Sequence, residues 1–227
     1  MPRFATFLFL VLALGAAPIL AQSFNVDFGP ADAVPPATYG AAGQAGVWNG
    51  FLGLHGTTEV NLVAIDGLPT SVSMTQIGGF ENLTADDPAT SGADAALLDD
   101  YLVTYDAVLE SCLFFDGLEA GEYEVLIYAW MPLAPTVMGY TSVDQEIGFP
   151  HYEVGGPWAG QHQQLVTYSR HTATVGADGN LDMHSGIVPG ASPLLGAALN
   201  GVQIRRISLF ADGFESGDLS AWSSAVP

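Results

Sequence analysis

The chain has 227 residues with 24 acidic and only four basic side chains, which gives a formal net charge of −20. All four basic residues are arginines, so no lysine is present for a phosphate-binding loop, a Schiff base or a general base. This balance excludes nucleic acid as a natural partner, because phosphate binding needs a cationic surface. Hydrophobic residues make up 49% of the chain, and 27 glycines and 14 prolines predict a turn-rich globular β protein.

The first 21 residues are typical of a secretory signal peptide. Arg3 precedes an apolar run over residues 4–14, and small residues lead up to Ala21. A retained membrane anchor is the alternative, since residues 4–21 approach the minimum length of a spanning helix. We predict cleavage after Ala21, release to the cell surface, the medium or the periplasm, and no membrane insertion of the mature chain.

The body of the chain predicts short strands separated by turns. Residues 23–28 alternate apolar and polar side chains, as a half-buried strand does. Further strand candidates are 60–65, 70–77, 108–115, 122–130, 165–175, 181–184 and 199–210. The turn at 177–180 predicts a hairpin, and a change of apolar phase at 205–206 predicts a β-bulge or bend. In the 122–130 run both faces carry large side chains, which favours a central strand of a sandwich.

One helical stretch interrupts the strands at residues 93–102, with Ser91 or Asp94 as its N-cap. Its apolar stripe would consist of Leu97, Leu98, Tyr101 and Leu102. The succession of short strands around one short helix predicts an all-β antiparallel sandwich of the jelly-roll type. We place this single domain at residues 22–210.

Four segments carry a resemblance to a known family. They are NVDFG at 25–29, YGAAGQAGVWN at 39–49, GLEAGEYEV at 117–125 and ALNGVQI at 198–204. In this order they resemble secreted bacterial domains with a galactose-binding-domain-like or malectin-like jelly roll, such as carbohydrate-binding modules. The resemblance implies a sandwich that binds sugars, metal-linked glycans or other proteins.

A tail of 17 residues, 211–227, follows the last predicted strand. Its GFESGD segment and Trp222 resemble a short ending found on diverse secreted bacterial proteins. Two interpretations stay open. In the first, the tail is a flexible appendage that an export or surface-display system recognises. In the second, the tail docks on the sandwich through Trp222.

Motifs for catalysis are absent from the sequence, which lacks Gly-x-Ser-x-Gly, His-Glu-x-x-His and Cys-x-x-Cys. His171 and His184 would approach each other only if the strands around the 177–180 turn pair, and Asp182 is a guess for a third zinc ligand. The single cysteine, Cys112, lies in an apolar run and is interpreted as a buried, unreactive thiol. We therefore predict no catalytic residues and no metal centre, with a glycan-active hydrolase or lyase as an open alternative.

Two segments combine aromatic rings with polar side chains, as sugar-binding sites do. Trp48 and Asn49 follow a glycine-rich loop, while His151, Tyr152 and Trp158 lie between predicted strands. We predict that these five residues bind ligand. Packing of Trp48 in the core beneath its loop is the alternative.

Calcium is a further option, because the chain is rich in the oxygen ligands that this ion prefers. The candidates are Asp27, Asp86, Asp87, Asp212, Glu215 and Asp218, none of which follows the spacing of a known calcium loop. Taken together, the sequence predicts a secreted, non-catalytic protein that binds carbohydrate or a cell-surface glycan. A structural or interaction protein of the cell exterior, without a small-molecule site, is the alternative.

Overall fold

The computed structural model describes residues 22–30, 33–53, 55–79, 81–104, 109–192 and 196–207. The predicted signal peptide at 1–21 and the tail at 211–227 lie outside these ranges. Within them the chain forms fourteen strands and one short helix. In order these are β1 (Ser23–Asp27), β2 (Trp48–Gly50), β3 (Thr57–Glu59), β4 (Ser73–Gly78), β5 (Glu81–Thr84), α1 (Ala93–Leu98), β6 (Asp100–Thr104), β7 (Glu110–Asp116), β8 (Gly121–Tyr128), β9 (Gly139–Val143), β10 (Tyr152–Val154), β11 (Tyr168–Val175), β12 (Leu181–Ile187), β13 (Ala197–Leu199) and β14 (Gly201–Arg206).

The strands form two large sheets and a small one, which confirms the predicted all-β sandwich. The first sheet has the strand order β11-β8-β14-β1-β2, and the second has the order β10-β9-β12-β7-β4-β3. A small third sheet has the order β13-β6-β5. Among the described strands, β1 and β2 run parallel, and the other paired strands run antiparallel.

Alternation along each strand directs apolar side chains into the space between the two large sheets. The first sheet contributes Phe24, Val26, Tyr123, Val125, Ile127, Val202 and Ile204, and the second contributes Met74, Leu113, Phe115, Val143, Leu181 and Met183. All of these side chains are buried. Their removal from water is the main stabilising contribution to the sandwich.

A second hydrophobic cluster lies on the outer face of the first sheet. Leu126 and Tyr128 of β8 point away from the main core and pack with Trp48, Trp130 and Tyr168. Leu97 and Leu98 of α1 cover this cluster, together with Val34, Tyr39, Ala41, Ala42 and Trp158 from two long loops. Both faces of β8 are therefore buried, as the large side chains on its two faces predict.

The predicted hairpin at 177–180 is wrong. β11 pairs with β8 in the first sheet, whereas β12 pairs with β7 and β9 in the second. The turn carries the chain from one sheet to the other, because a turn sequence fixes only the local reversal and not the partner of the next strand. His171 and His184 consequently lie in different sheets.

Three smaller predictions also need correction. The helix ends at Leu98 instead of continuing to 102, because residues 100–104 pair as β6 between β5 and β13. Its N-cap is Gly92, with no side-chain capping bond from the predicted Ser91 or Asp94. β14 keeps an unbroken register with β8 up to Arg206, so the change of apolar phase marks the end of a strand and not a bulge.

The predicted strand at 60–65 is reduced to one bridge between Val63 and Pro69, and regular pairing occurs earlier, in β3. None of the described helices is both long and apolar enough to cross a membrane.

Candidate functional site

Three separate chain segments meet over the outer face of the first sheet. Tyr39 belongs to the loop between β1 and β2, and Asp94 belongs to the first turn of α1. Trp158 and His162 belong to the loop between β10 and β11. We call Tyr39, Asp94, Trp158 and His162 the loop cluster.

Hydrogen bonds connect the polar members of the loop cluster in a chain. The Tyr39 hydroxyl donates to Asp94 Oδ1 at 2.5 Å and lies 2.6 Å from His162 Nε2. His162 Nδ1 lies 3.2 Å from the Thr167 hydroxyl. Because the single proton of Tyr39 goes to Asp94, the Tyr39 oxygen accepts from Nε2–H of the imidazole. The Thr167 hydroxyl lies beside Nδ1 and also donates to the Gln163 carbonyl at 3.3 Å.

The surroundings keep Tyr39 and His162 uncharged at neutral pH. Burial lowers the pKa of His162 to about 4, and the nearby Asp94 only partly opposes this shift. Burial, followed by the hydrogen bond to Asp94, raises the pKa of Tyr39 well above its ordinary value. The phenol and the imidazole are thus held in fixed orientations beside Asp94.

Contacts between aromatic rings connect the loop cluster to the buried side chains on the outer face of the first sheet. The ring of Trp158 contacts His162 edge to face, with 5.3 Å between centroids, and packs at 6.3 Å against the buried ring of Trp130. His162 also contacts Tyr128 edge to face at 5.2 Å. Trp158 itself is only half-buried. It therefore combines ring contacts to His162 and Trp130 with partial exposure of the residue.

Polar groups remain accessible around Trp158. The Asp94 side chain keeps 34% of its surface exposed, whereas that of His162 keeps 6%. Gln161, Gln163 and Gln164 of the same loop are exposed. The surface thus offers an aromatic ring, a carboxyl group and several amides within one region, which are the groups that sugars bind.

Trp48 and Asn49, two of the predicted ligand-binding residues, lie beneath this region. Trp48 is 5% exposed, and its Nε1 donates to the Tyr39 carbonyl at 3.1 Å. The Asn49 amide donates to the carbonyls of Asn25 and Val63, and its oxygen accepts from the Val63 N–H. Trp48 thus holds the loop of Tyr39 in place, whereas Asn49 connects β1 to the segment around Val63.

The predicted residues His151 and Tyr152 lie at the second sheet, away from the loop cluster. His151 is exposed and stacks on Tyr140 with 5.3 Å between centroids. Tyr152 is half-buried and contacts His171 edge to face at 4.9 Å. Of the five predicted residues, only Trp158 belongs to the loop cluster. Sequence reasoning missed Tyr39 and His162 as site residues and read Asp94 as a cap.

A serine–histidine–acid arrangement lies between the two sheets. The Ser169 hydroxyl is 2.9 Å from His171 Nε2, and His171 Nδ1 is 2.6 Å from Glu146 Oε2. This order matches that of a hydrolase triad. Ser169 is fully buried, however, and the Thr141 hydroxyl donates to it at 2.7 Å. In this arrangement a substrate has no access to the serine, and the four side chains satisfy one another within the core.

A carboxyl group on β1 has the surroundings of a cation ligand. Asp27 is fully buried, and neither of its carboxylate oxygens has a hydrogen-bond partner. Burial, followed by the charge of Asp100, raises the pKa of Asp27 to about 9. Both carboxylates approach Gly29 so closely that a side chain there would collide with them. Asp27 and Asp100 therefore fit as two of the oxygen ligands of a calcium ion.

The other calcium candidates differ from Asp27. Asp87 accepts hydrogen bonds from the N–H groups of Ala89 and Leu133, so its two oxygens already have partners. Asp86 lies in the loop between β5 and α1. Asp212, Glu215 and Asp218 lie outside the described residues.

Comparison with known proteins gives similarity only at the level of a β-rich fold. No family model matches the chain, and no curated protein matches it. A β-glucuronidase of Bacteroides uniformis aligns with a TM-score of 0.47 and 14% identity over 82% of this chain, which spans 18% of that enzyme.

Two further solved structures with a similar fold are complexes that contain a peptide or a glycan. A chain from the complex of the plant peptide RALF23 with FER and LLG2 aligns with a TM-score of 0.43 and 13% identity, over 82% of this chain and 40% of that one. TmCBM61, solved with β-1,4-galactotriose, aligns with a TM-score of 0.34 and 11% identity, over 59% of this chain and 88% of that one. TM-scores below 0.5 identify neither a family nor a ligand for this chain.

Proposed function

We propose that this chain is a non-catalytic carbohydrate-binding protein of the cell exterior, and that the loop cluster contacts the sugar. The observation that carries the proposal is the half-buried indole of Trp158 beside the hydrogen-bonded Tyr39, Asp94 and His162. The export signal predicted at residues 1–21 supports a location outside the cytoplasm.

The chemistry of the cluster suits a sugar ring. An exposed part of an indole packs against the C–H face of a pyranose, while carboxyl and amide groups exchange hydrogen bonds with its hydroxyls. Asp94 and the exposed glutamines around Trp158 supply such groups. Because the hydrogen bond from Tyr39 already restrains Asp94, this side chain loses little conformational entropy when a ligand binds.

The charge of the chain favours a neutral glycan. The net charge of −20 repels uronates and sulfated sugars at long range. Three of the four arginines lie in the described part of the chain, and each forms an ion pair, Arg170 and Arg205 with Glu124 and Arg206 with Glu119. They are therefore engaged instead of being free to hold an anionic sugar.

A glycan array tests this function directly. The purified chain is screened against neutral and anionic glycans at low and moderate salt. We expect retention of neutral glycans with little dependence on salt, since the contact is aromatic and hydrogen-bonded. Absence of retention of any glycan would overturn the proposal, and a preference for anionic glycans would overturn the charge argument.

A protein-interaction role is the second candidate, because one loop exposes two large apolar side chains. Ile147 is 96% exposed and Phe149 is 57% exposed. Phe149 has a φ of 48°, which is unfavourable for a bulky residue. Binding of the labelled chain to cells of its source organism separates the two roles. Loss with Ile147→Ser and Phe149→Ser favours a protein partner, and loss with Trp158→Ala favours a glycan.

A further inference from the structure

Three metal-ligating side chains meet on the outer face of the second sheet, opposite the face that carries the loop cluster. Glu110 and Cys112 are two residues apart on β7, so both point to the same side. His184 on β12 is paired directly with Cys112 in the antiparallel register. We call Glu110, Cys112 and His184 the sheet cluster.

The distances within the sheet cluster match a metal coordination shell. Cys112 Sγ is 3.2 Å from His184 Nδ1 and 3.7 Å from Glu110 Oε1, and His184 Nδ1 is 3.9 Å from Glu110 Oε1. Tetrahedral zinc with bonds of about 2.0–2.3 Å places its ligand atoms roughly 3.3–3.6 Å apart. The observed separations differ from these values by about 0.6 Å or less.

Neighbouring side chains orient two of the three ligands. His184 Nε2 lies 3.0 Å from Asp144 Oδ1, which leaves Nδ1 directed at the thiol. The Tyr140 hydroxyl donates to Glu110 Oε2, so Oε1 is the oxygen that faces the cluster. A carboxylate on the distal nitrogen of a histidine ligand is the usual support of a zinc site.

The local charge favours a cation. Asp144 and Asp182 both lie near the sheet cluster and act on its thiol electrostatically. The described arginines belong to β11 and β14 of the first sheet, where they pair with Glu119 and Glu124. A divalent ion on the second sheet therefore meets acidic groups and no competing arginine among the described residues.

We propose that Glu110 Oε1, Cys112 Sγ and His184 Nδ1 form a Zn²⁺ site with a fourth position open to water. A thiolate, an imidazole and a carboxylate together suit zinc, whereas calcium and magnesium prefer oxygen ligands alone. On binding, the Cys112 thiol gives its proton to solvent and a Zn–S bond forms, with no change of oxidation state. This proposal departs from the sequence prediction of an unreactive thiol and no metal site, which stays a prediction.

Cobalt substitution tests the site, because Co²⁺ bound by a thiolate gives a near-ultraviolet sulfur-to-cobalt absorption band. The full chain, purified with a reductant and freed of metal, is titrated with Co²⁺ and then with Zn²⁺. We expect the band to saturate at one equivalent per chain and Zn²⁺ to displace it. No band in the wild-type chain would overturn the proposal.

Variants assign the ligands. Cys112→Ser should abolish the band, and His184→Gln should weaken Co²⁺ binding at least tenfold. His162→Gln, which changes a histidine over the outer face of the first sheet, should leave both the band and the affinity for Co²⁺ unchanged. Unaltered one-to-one Zn²⁺ binding by Cys112→Ser would overturn the assignment. If that variant does not fold, His184→Gln decides the question by itself, since it retains the thiol.

A further variant tests the support of the histidine. Asp144→Asn should retain the band but bind Zn²⁺ about 10 to 100 times more weakly, because the carboxylate only orients His184. Equal affinity in this variant would contradict the described arrangement. Trp158→Ala should bind Zn²⁺ like the wild type, so this test is independent of the glycan proposal.

Discussion

Replacing His162 by glutamine should remove one specific part of the pH dependence of folding. In the folded chain burial lowers the pKa of His162 from 6.5 to about 4. Between these two pH values the unfolded chain binds a proton at this histidine and the folded chain does not. The pKa shift therefore has no effect on the free energy of unfolding well above pH 6.5, and it destabilises the folded chain increasingly as the pH falls towards 4.

The size of this effect follows from the two pKa values. Proton uptake by the unfolded state lowers the free energy of unfolding by about 2 kcal/mol between pH 7 and pH 5, and by about 3 kcal/mol at pH 4. Solvent screening reduces these values little, because the His162 side chain is only 6% exposed. Other groups titrate in the same range, but their contributions cancel when wild type and variant are compared.

Urea unfolding at pH 7 and pH 5, followed by tryptophan fluorescence, measures the effect. The wild type should lose about 2 kcal/mol more than His162→Gln between the two pH values. His151→Gln, which changes an exposed imidazole, is the matched control and should behave like the wild type. Equal losses in wild type and His162→Gln would refute the described burial of His162 and the hydrogen-bond chain that depends on it.

Three further predictions concern the cation ligand and the two ends of the chain. Calcium should raise the melting temperature of the wild type but not that of Asp27→Asn. In EDTA at pH 7 the free energy of unfolding of Asp27→Asn should exceed that of the wild type by up to about 4 kcal/mol. The reason is that burial penalises the charged Asp27 above pH 3.8. An equal effect of calcium on both proteins, measured by calorimetry, would remove Asp27 as a ligand. N-terminal sequencing of the exported protein should begin at Gln22, and a sequence that begins at Met1 would contradict signal cleavage. Truncation after Ala211 should leave the melting temperature unchanged if the tail is an appendage, and a loss of several degrees would instead favour docking through Trp222.

The fold class could be predicted because each strand carries its own pattern. Tyr123, Val125 and Ile127 alternate with other large side chains, which identified β8 as a central strand with two buried faces. The same local signals could not show which strands pair. The turn at 177–180 fits a hairpin and a crossing between sheets equally well, and packing of the whole sandwich decides between them.

The members of both clusters are far apart in the sequence, so the sequence alone does not show that they meet. Tyr39 is 55 residues from Asp94 and 123 residues from His162, so no spacing rule connects them. Cys112 and His184 are 72 residues apart and meet only through the register of β7 with β12. The glycine- and proline-rich setting of Trp158 is a local signal of an accessible aromatic residue, so the sequence alone could suggest this member of the loop cluster.

The most direct test of the central claim is isothermal titration of the best neutral glycan from the array into wild type, Trp158→Ala and Phe149→Ala. Phe149→Ala is the matched control, since it removes an exposed aromatic ring from a different loop. We predict that Trp158→Ala weakens binding at least tenfold, or about 1.4 kcal/mol, while Phe149→Ala and the wild type bind alike. Unchanged affinity in a folded Trp158→Ala chain would contradict the assignment of the loop cluster as the glycan-binding site.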